Sequence, residues 1–391
     1  MPTTPTGPLE GTRVVDLTSI VMGPLATQIF GDLGADVITV EDPRGTLSRV
    51  MTAGPHPQLS GVALNLLRNK RSVVLDLKTD EGRDALLALA GTADVLVTNL
   101  RPATLGRLRL TYADVSAVRP DIVYCQTQGY PTDSDRADAP AYDDVIQAAT
   151  GLPDTFRRSG GEPQFVPTLI ADKVSGLTIA YAVMAALLHR ERTGEGQRVE
   201  VPMVDVMTAF TLVEHAGAAT ARPPQGEPGY QRILSPERRP QRTEDGWISV
   251  LPYTRENFED LFRAGGRHDL AEDERIHSAR SRIDHADDLY HEVSLIVTQR
   301  TTAAWLAFCE ASDVPASAVP TLDELVEGLA EDEHPIAGRY KVIPQPVRFS
   351  RANGPTVRRP AALSGEHTDE VMAEVVARTA GPAPKGPGGS P

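Results

Sequence analysis

The first 130 residues alternate short apolar runs with helical patterns, and few architectures accommodate that. Arg13–Leu17, Ala35–Val40, Ser72–Leu77, Asp94–Thr98 and Asp121–Cys125 read as strands rich in Val, Ile and Leu. Between them lie helical stretches at Leu25–Leu33 and Asp80–Ala90. Pro24 sits near the start of the first, where a missing N–H costs little, and Thr79 or Asp80 can cap the second. Short β-rich runs separated by helices predict an α/β fold with a Rossmann-like, doubly wound parallel sheet.

The pattern then changes. A helix near Tyr142–Gly151 and a Gly/Pro loop through Ser159–Pro163 lead to a long apolar helix over Lys173–Arg190, and Arg198–Pro202 resumes a strand. Ala221–Gly229 is rich in Pro and Gly and reads as a linker. Residues 1–221 are therefore assigned to a large α/β domain, 222–230 to the linker and 231–330 to a smaller inserted α+β domain. That domain has a strand at Gly246–Pro252 and helices at Thr254–Ala264 and Thr302–Ala311. Residues 331–378 form a return segment that completes the large domain, and 379–391 a Gly/Pro-rich tail expected to be disordered.

Net charge is −14 over 391 residues, so a phosphate-tracking nucleic-acid surface is not expected, although a local basic pocket for a phosphorylated ligand is compatible with it. The two cysteines, Cys125 and Cys309, lie far apart and read as small buried apolar residues, neither a disulfide framework nor a zinc site. No metal is expected. Met1–Pro8 lacks a basic stretch followed by an apolar core, and no segment reads as long and apolar enough to span a bilayer. The expectation is a cytoplasmic protein without a membrane partner.

The turn after the first strand, Thr18–Pro24, lacks the G-x-G-x-x-G that would bring backbone amides to a pyrophosphate. No P-loop and no G-x-S-x-G occur, and the His residues do not pair with Ser or Cys at motif spacing. The residue with the most informative position is Asp172, at the entrance of the long apolar helix. On position alone it reads as an N-cap. A helix N-terminus also stabilises negative charge, which keeps an aspartate ionised and available as a nucleophile.

The surrounding residues favour the nucleophile. Leu9–Leu17, Gly31–Ile38, Asn69–Lys78, Asn99–Pro102, Tyr142–Asp143 with Gln147, Ala171–Asp172, and Gly194–Met203 with Asp205 occur in this order across residues 8 to 378. Together they resemble the class III CoA-transferases, the family of formyl-CoA:oxalate and carnitine CoA-transferases, with α-methylacyl-CoA racemases as relatives. The resemblance implies an acyl-CoA:carboxylate CoA-transferase with coenzyme A entering as the acyl-CoA substrate. It places Asp172 on the nucleophilic aspartate and CoA contacts on Leu75, Lys78, Asn99, Leu100 and Arg107. Lys78 and Arg107 suit phosphates, Asn99 an adenine or pantetheine amide, and Leu75 an apolar wall. It also implies an interlocked homodimer, each chain passing through the other. Without the resemblance, Lys78 reads as a solvated strand-end residue and Asn99 as a turn former. Asp205 reads as a structural hydrogen-bonding carboxylate.

Departures from the family bear on the acid. Where oxalate transferases carry a Gln before the first helix this chain has Val21, and an Arg after the second strand is replaced by Asp42, with Arg44 close by as a substitute. The glycine loop over the oxalate site is absent from Gln231–Thr243. These differences argue against oxalate. Racemases place a His thirty residues before the Asp, and here that position is Tyr142. Tyr is a poor base at neutral pH but a good hydroxyl donor to an anionic intermediate, which makes Tyr142 a catalytic candidate and favours transfer over racemisation. Two alternatives stay open: an α-methylacyl-CoA racemase or epimerase, and a non-catalytic acyl-CoA-binding protein on the same fold.

Overall fold

The computed structural model describes residues 7–351 and 357–379. Its main sheet has six parallel strands: β1 (Arg13–Leu17), β2 (Asp36–Glu41), β3 (Lys70–Val74), β4 (Val95–Thr98), β5 (Val123–Gln128) and β6 (Gln197–Pro202). Their order is β3-β2-β1-β4-β5-β6. This is the doubly wound arrangement, and its direction reverses between β1 and β4. Val15, Ile38, Val73, Leu96 and Tyr124 share a core with Leu86 and Leu89 of helix Asp80–Gly91, Leu105 of helix Pro102–Leu108, and Val371 and Val375 of helix Thr368–Thr379. Val14, Val37, Val95 and Val97, alternating with these, are buried as well. Strands covered on both faces must be apolar almost throughout, which is why they stand out in the sequence.

Helices Met22–Asp32 and Ile170–Thr193 pack against each other and the sheet. The long helix buries Ala171, Asp172, Ser175, Gly176, Ile179, Ala180, Val183 and Ala186, a stripe at helical spacing. Gly176 makes the approach close: a Cβ there would lie 2.8 Å from the Met22 carbonyl oxygen. By length and composition this 24-residue helix could cross a bilayer, which corrects the expectation that no segment reaches that length. Its buried stripe is that of a core helix.

Contacts divide the chain into two units. The first holds the described residues up to Thr150, Val166–Ala209 and those from Leu329 onward, including the pair Glu331–His334 and Gly338–Lys341. The second holds Gly151–Phe165 and Phe210–Gly328. It is a smaller α+β unit, inserted in sequence, with an antiparallel sheet of β7 (Gln241–Arg242), β8 (Trp247–Val250) and β9 (Ala316–Ala318). Ile248, Phe258, Phe262, Leu289, Val293 and Trp305 form its core.

Several boundaries differ from the sequence reading. The division falls at Ala209–Phe210, within helix Met203–His215, rather than at 222–230. Gly151–Phe165 joins the second unit because helix Leu152–Arg158 packs on Gln231–Leu234 and Arg158 Nη1 donates to the Pro228 carbonyl at 2.9 Å. β3 ends at Val74, so Leu75–Leu77 belong to the loop that follows it. The expected tail lies, beyond Thr379, outside the described residues.

Candidate active site

In doubly wound sheets ligands bind beyond the C-terminal strand ends at the point of reversal, here the ends of β1 and β4. The turn after β1 is tied to β4 by Asn99. Its Nδ2 donates to the Ser19 carbonyl at 3.0 Å, and its Oδ1 accepts the Ser19 N–H at 3.3 Å. Next to Ser19, Ile20 has a φ of 74°, a left-handed conformation that a β-branched residue adopts at a cost of about 1–3 kcal/mol. The Ser48 hydroxyl donates to its carbonyl at 2.6 Å and helps hold it there. Gly23 opens the following helix where a Cβ would lie 2.3 Å from that of Thr18.

Two cavities open on this turn. The larger, about 720 Å³, is lined by Leu75, Lys78, Asn99, Leu100, Arg107 and Tyr142, with Ile20 and Leu47 among the others. The smaller, about 290 Å³, is lined by Asp172, Met22, Met203, Ala139 and Ala141, and shares Ile20, Asn99, Leu100 and Tyr142 with the larger. All seven residues singled out from the sequence therefore line one or both cavities. Among the described residues no histidine lines either.

Their environments differ. Leu75 is a buried wall. Arg107 is exposed on helix Pro102–Leu108, with Nη2 3.4 Å from Thr104 Oγ1 and no carboxylate partner among the described residues. Lys78, exposed as well, lines the same cavity. The Asn99 amide uses both ends on Ser19, so its first task is to shape the crevice. Arg44, the expected substitute, is clamped by Asp42 through Nε–Oδ1 at 2.7 Å and Nη2–Oδ2 at 3.0 Å. That hydrogen-bonded pairing holds the Asp42 carboxyl down at about 2. Val21 is buried and lines neither cavity. Tyr142 is 63% exposed and precedes helix Asp143–Ala149 without capping it. Asp205 is exposed and its carboxylate accepts no hydrogen bond among the described residues, which corrects its structural reading. Cys125 and Cys309 are buried free thiols, and burial pushes the Cys125 thiol up to about 12.

Asp172 is not an N-cap. The helix begins at Ile170, so Asp172 lies inside its first turn, and the cap position is Leu169. Its N–H donates to Asp143 Oδ1 at 2.9 Å, while Gln147 Nε2 donates to Asp143 Oδ2 at 2.7 Å. Asp143 thus does the capping from a separate helix, and the Asp172 carboxylate, 8% exposed, accepts no hydrogen bond among the described residues. Burial, and secondarily the Asp143 charge, push its carboxyl up to about 7. Sequence reasoning missed this role of Asp143. The available signal was the i, i+4 spacing of Asp143 and Gln147 next to Tyr142.

The arrangement is a buried carboxylate facing a small cavity of mixed polar and apolar lining, next to a larger one with three cations at its wall. Of these, Lys78 and Arg107 carry no carboxylate partner among the described residues and Arg44 is paired with Asp42. Comparison with known proteins agrees with this chemistry. The model of CoA-transferase family III matches residues 9–368. The chain is 33% identical to the probable fatty acyl-CoA transferase Rv3272 of Mycobacterium tuberculosis, over 95% of this chain and 100% of that protein. It is 31% identical to the succinate–glutarate CoA-transferase of Agrobacterium fabrum, over 96% and 98%. Among solved structures, that of Rv3272 superposes with a TM-score of 0.78 at 32% identity, covering 93% of this chain and 99% of that one. A CAIB/BAIF family protein from Brucella suis gives 0.79 at 27% identity, covering 95% and 100%. Sequence, sheet order and site together make this chain an enzyme of CoA-transferase family III.

Proposed function

We propose that the enzyme moves CoA from an acyl-CoA thioester to a free carboxylic acid through an aspartyl-CoA thioester on Asp172. The observation that carries this is the Asp172 carboxylate, free of hydrogen bonds among the described residues, in a cavity that shares its wall with the one lined by Lys78 and Arg107. The carboxylate attacks the thioester carbonyl, the C–S bond breaks, and CoA leaves as thiolate from a mixed anhydride. The thiolate then attacks the aspartyl carbonyl and expels the donor acid as its carboxylate. The acceptor carboxylate reverses both steps and leaves as its own CoA ester. Covalent catalysis divides one difficult exchange into two between activated acyl groups.

The tetrahedral intermediates carry an oxyanion that needs donors. The first amides of the long helix are largely taken: Ile170 N–H goes to Thr168, Asp172 N–H to Asp143 and Lys173 N–H to Leu169. The Tyr142 hydroxyl, in the lining of both cavities, is the donor we assign to this task. Racemisation needs a second group that can take and return a proton near neutral pH, and the absence of histidine from the described lining supports transfer instead. Apolar residues Ile20, Met22, Ala139, Ala141 and Met203 suit a hydrocarbon acyl group, while Arg101 and Gln128 in the same lining suit a carboxylate. The test is a panel of acyl-CoA donors and free acids in D₂O, read by chromatography and mass spectrometry. New CoA esters without deuterium at the α-carbon of 2-methylacyl-CoA are expected. Exchange at that carbon with no transfer to any acid would replace this reading with the racemase, and neither activity would leave an acyl-CoA-binding protein.

Arg107 is assigned to a CoA phosphate. Arg107→Ala should weaken binding of the CoA ester by about 1–3 kcal/mol, the scale of a charge-assisted contact. KM should rise more than kcat falls, because a phosphate contact is equal in ground and transition states. Steady-state kinetics decide it: a defect confined to kcat would put Arg107 at the reacting centre.

We propose further that the enzyme is a homodimer, interlocked as the family resemblance implies. The face of helix Ile170–Thr193 opposite its buried stripe exposes Leu177, Tyr181 and Leu188 at 56%, 63% and 51%, apolar surface that a second copy would cover. Light scattering should give twice the chain mass, and Leu177→Asp with Tyr181→Asp should reduce it. A monomeric wild type would refute the proposal.

A further inference from the structure

The second unit contains a cavity of about 60 Å³ that the transfer reaction does not use. Arg232 and Arg282 line it, with Tyr253, Tyr290, Phe258 and Ile283. Most neighbouring arginines are matched by acids: Arg255 and Arg263 by Glu259, Arg267 by Asp269, Arg275 by Asp273, Arg280 by Asp284, while Arg242 and Arg300 stack on Trp247 and Trp305. Arg232 and Arg282 form no ion pair among the described residues, in a chain whose 53 acidic residues outnumber its 39 basic ones. Both are half-buried. Leaving two such guanidiniums unmatched at one cavity is unfavourable unless an anion joins them.

The cavity is also built to hold them in place. Arg232 lies 4.4 Å over the Tyr253 ring, and its Nε donates to the Tyr290 hydroxyl at 2.9 Å. The stack fixes the guanidinium plane, and a guanidinium so held offers its edge to a planar acceptor. Arg282 is anchored by Nη1 to the Ile276 carbonyl at 2.6 Å. Each guanidinium has five N–H donors, so both retain some beyond these bonds. Phe258 and Ile283 supply apolar wall.

We infer that this cavity is a binding site for a short-chain organic monocarboxylate, its head bridging Arg232 and Arg282 and its carbon chain against Phe258 and Ile283. A water needs about 10–15 Å³ on this measure, so the volume suits roughly four to six heavy atoms. Inorganic phosphate fits less well, since it favours clustered backbone N–H donors over apolar walls.

The inference is independent of Asp172, and the experiment keeps it so. Propionate is titrated calorimetrically into the full chain saturated with CoA, as wild type and as Asp172→Ala. Saturable binding at one site per chain is expected in both. Arg232→Gln with Arg282→Gln should weaken it by about tenfold or more, the loss of charge-assisted bonds. Tyr290→Phe, which keeps the ring and removes a hydroxyl that holds Arg232, should weaken it several-fold with an unchanged far-ultraviolet circular dichroism spectrum and unfolding midpoint, and it decides the matter if the double variant does not fold. No saturable binding by the wild type, binding indifferent to Tyr290→Phe, or phosphate displacing propionate would each overturn the assignment. Loss of binding in Asp172→Ala alone would move the site to the reaction centre and overturn it too.

Discussion

Incubation with an acyl-CoA donor should leave CoA covalently attached to the peptide that carries Asp172, and Asp172→Ala should lose both the adduct and the transfer reaction. The expected fall in turnover is about 10⁴-fold or more, the scale seen when a covalent nucleophile is deleted from a working site. What remains would be direct attack of one substrate on the other, two anions competing without an activated intermediate. The fold should survive. Asp172 contributes a backbone N–H to Asp143, which alanine retains, and no hydrogen bond among the described residues ends on its carboxylate. CoA affinity should also persist, because Leu75, Lys78 and Arg107 line the larger cavity and Asp172 does not. Mass spectrometry of the trapped peptide and stopped assays on the variant read these outcomes separately. Turnover above about a hundredth of wild type in a correctly folded Asp172→Ala would remove the covalent route.

Much of the frame was legible because buried parallel strands have little freedom in composition. Val14, Ile38, Val73, Leu96 and Tyr124 sit in runs that only a covered sheet tolerates. The ends of elements were harder. Leu75 and Leu77 look like more of β3, yet they follow it in the loop, because apolarity there serves a cavity wall as well as a core. The long helix starts at Ile170, before its evident apolar run, since its first turn is capped by Asp143 from 29 residues away. No local pattern encodes a contact at that separation. The same limit applies to Asn99, whose polarity marked it as a ligand contact but whose amide is spent on Ser19, 80 residues back. It applies again to Gly151–Phe165, assigned by its contacts to the second unit while its position in sequence suggests the first. Ordered motifs singled out the candidate residues that line the two cavities; how they hold one another required the fold.

The environment of Asp172 predicts that activity and stability run in opposite directions over one pH range. Burial, with the Asp143 charge, raises its carboxyl from 3.8 to about 7 in the folded chain. A raised carboxyl means that the folded state prefers the protonated form. The associated stability is fully present below about pH 4, declines as pH rises because only the unfolded chain is ionised, and is gone once pH passes the folded value near 7. Asp172→Asn stays neutral throughout and should not lose it. The variant should therefore match wild type near pH 4 and exceed it increasingly up to pH 7, by something on the order of 4 kcal/mol, with a constant difference above. Denaturant unfolding at several pH values measures this. The nucleophile, in contrast, is the carboxylate, so kcat/KM of the wild type should rise with pH and level off above about 7. Both curves report the same ionisation of the free enzyme: the stability difference should level off near the pH at which kcat/KM reaches half its plateau. A variant no more stable than wild type at pH 8 would show that Asp172 ionises at no cost to the fold. The raised value would then be excluded, and with it the idea that the site keeps its nucleophile in a costly, charged state that bound substrate relieves.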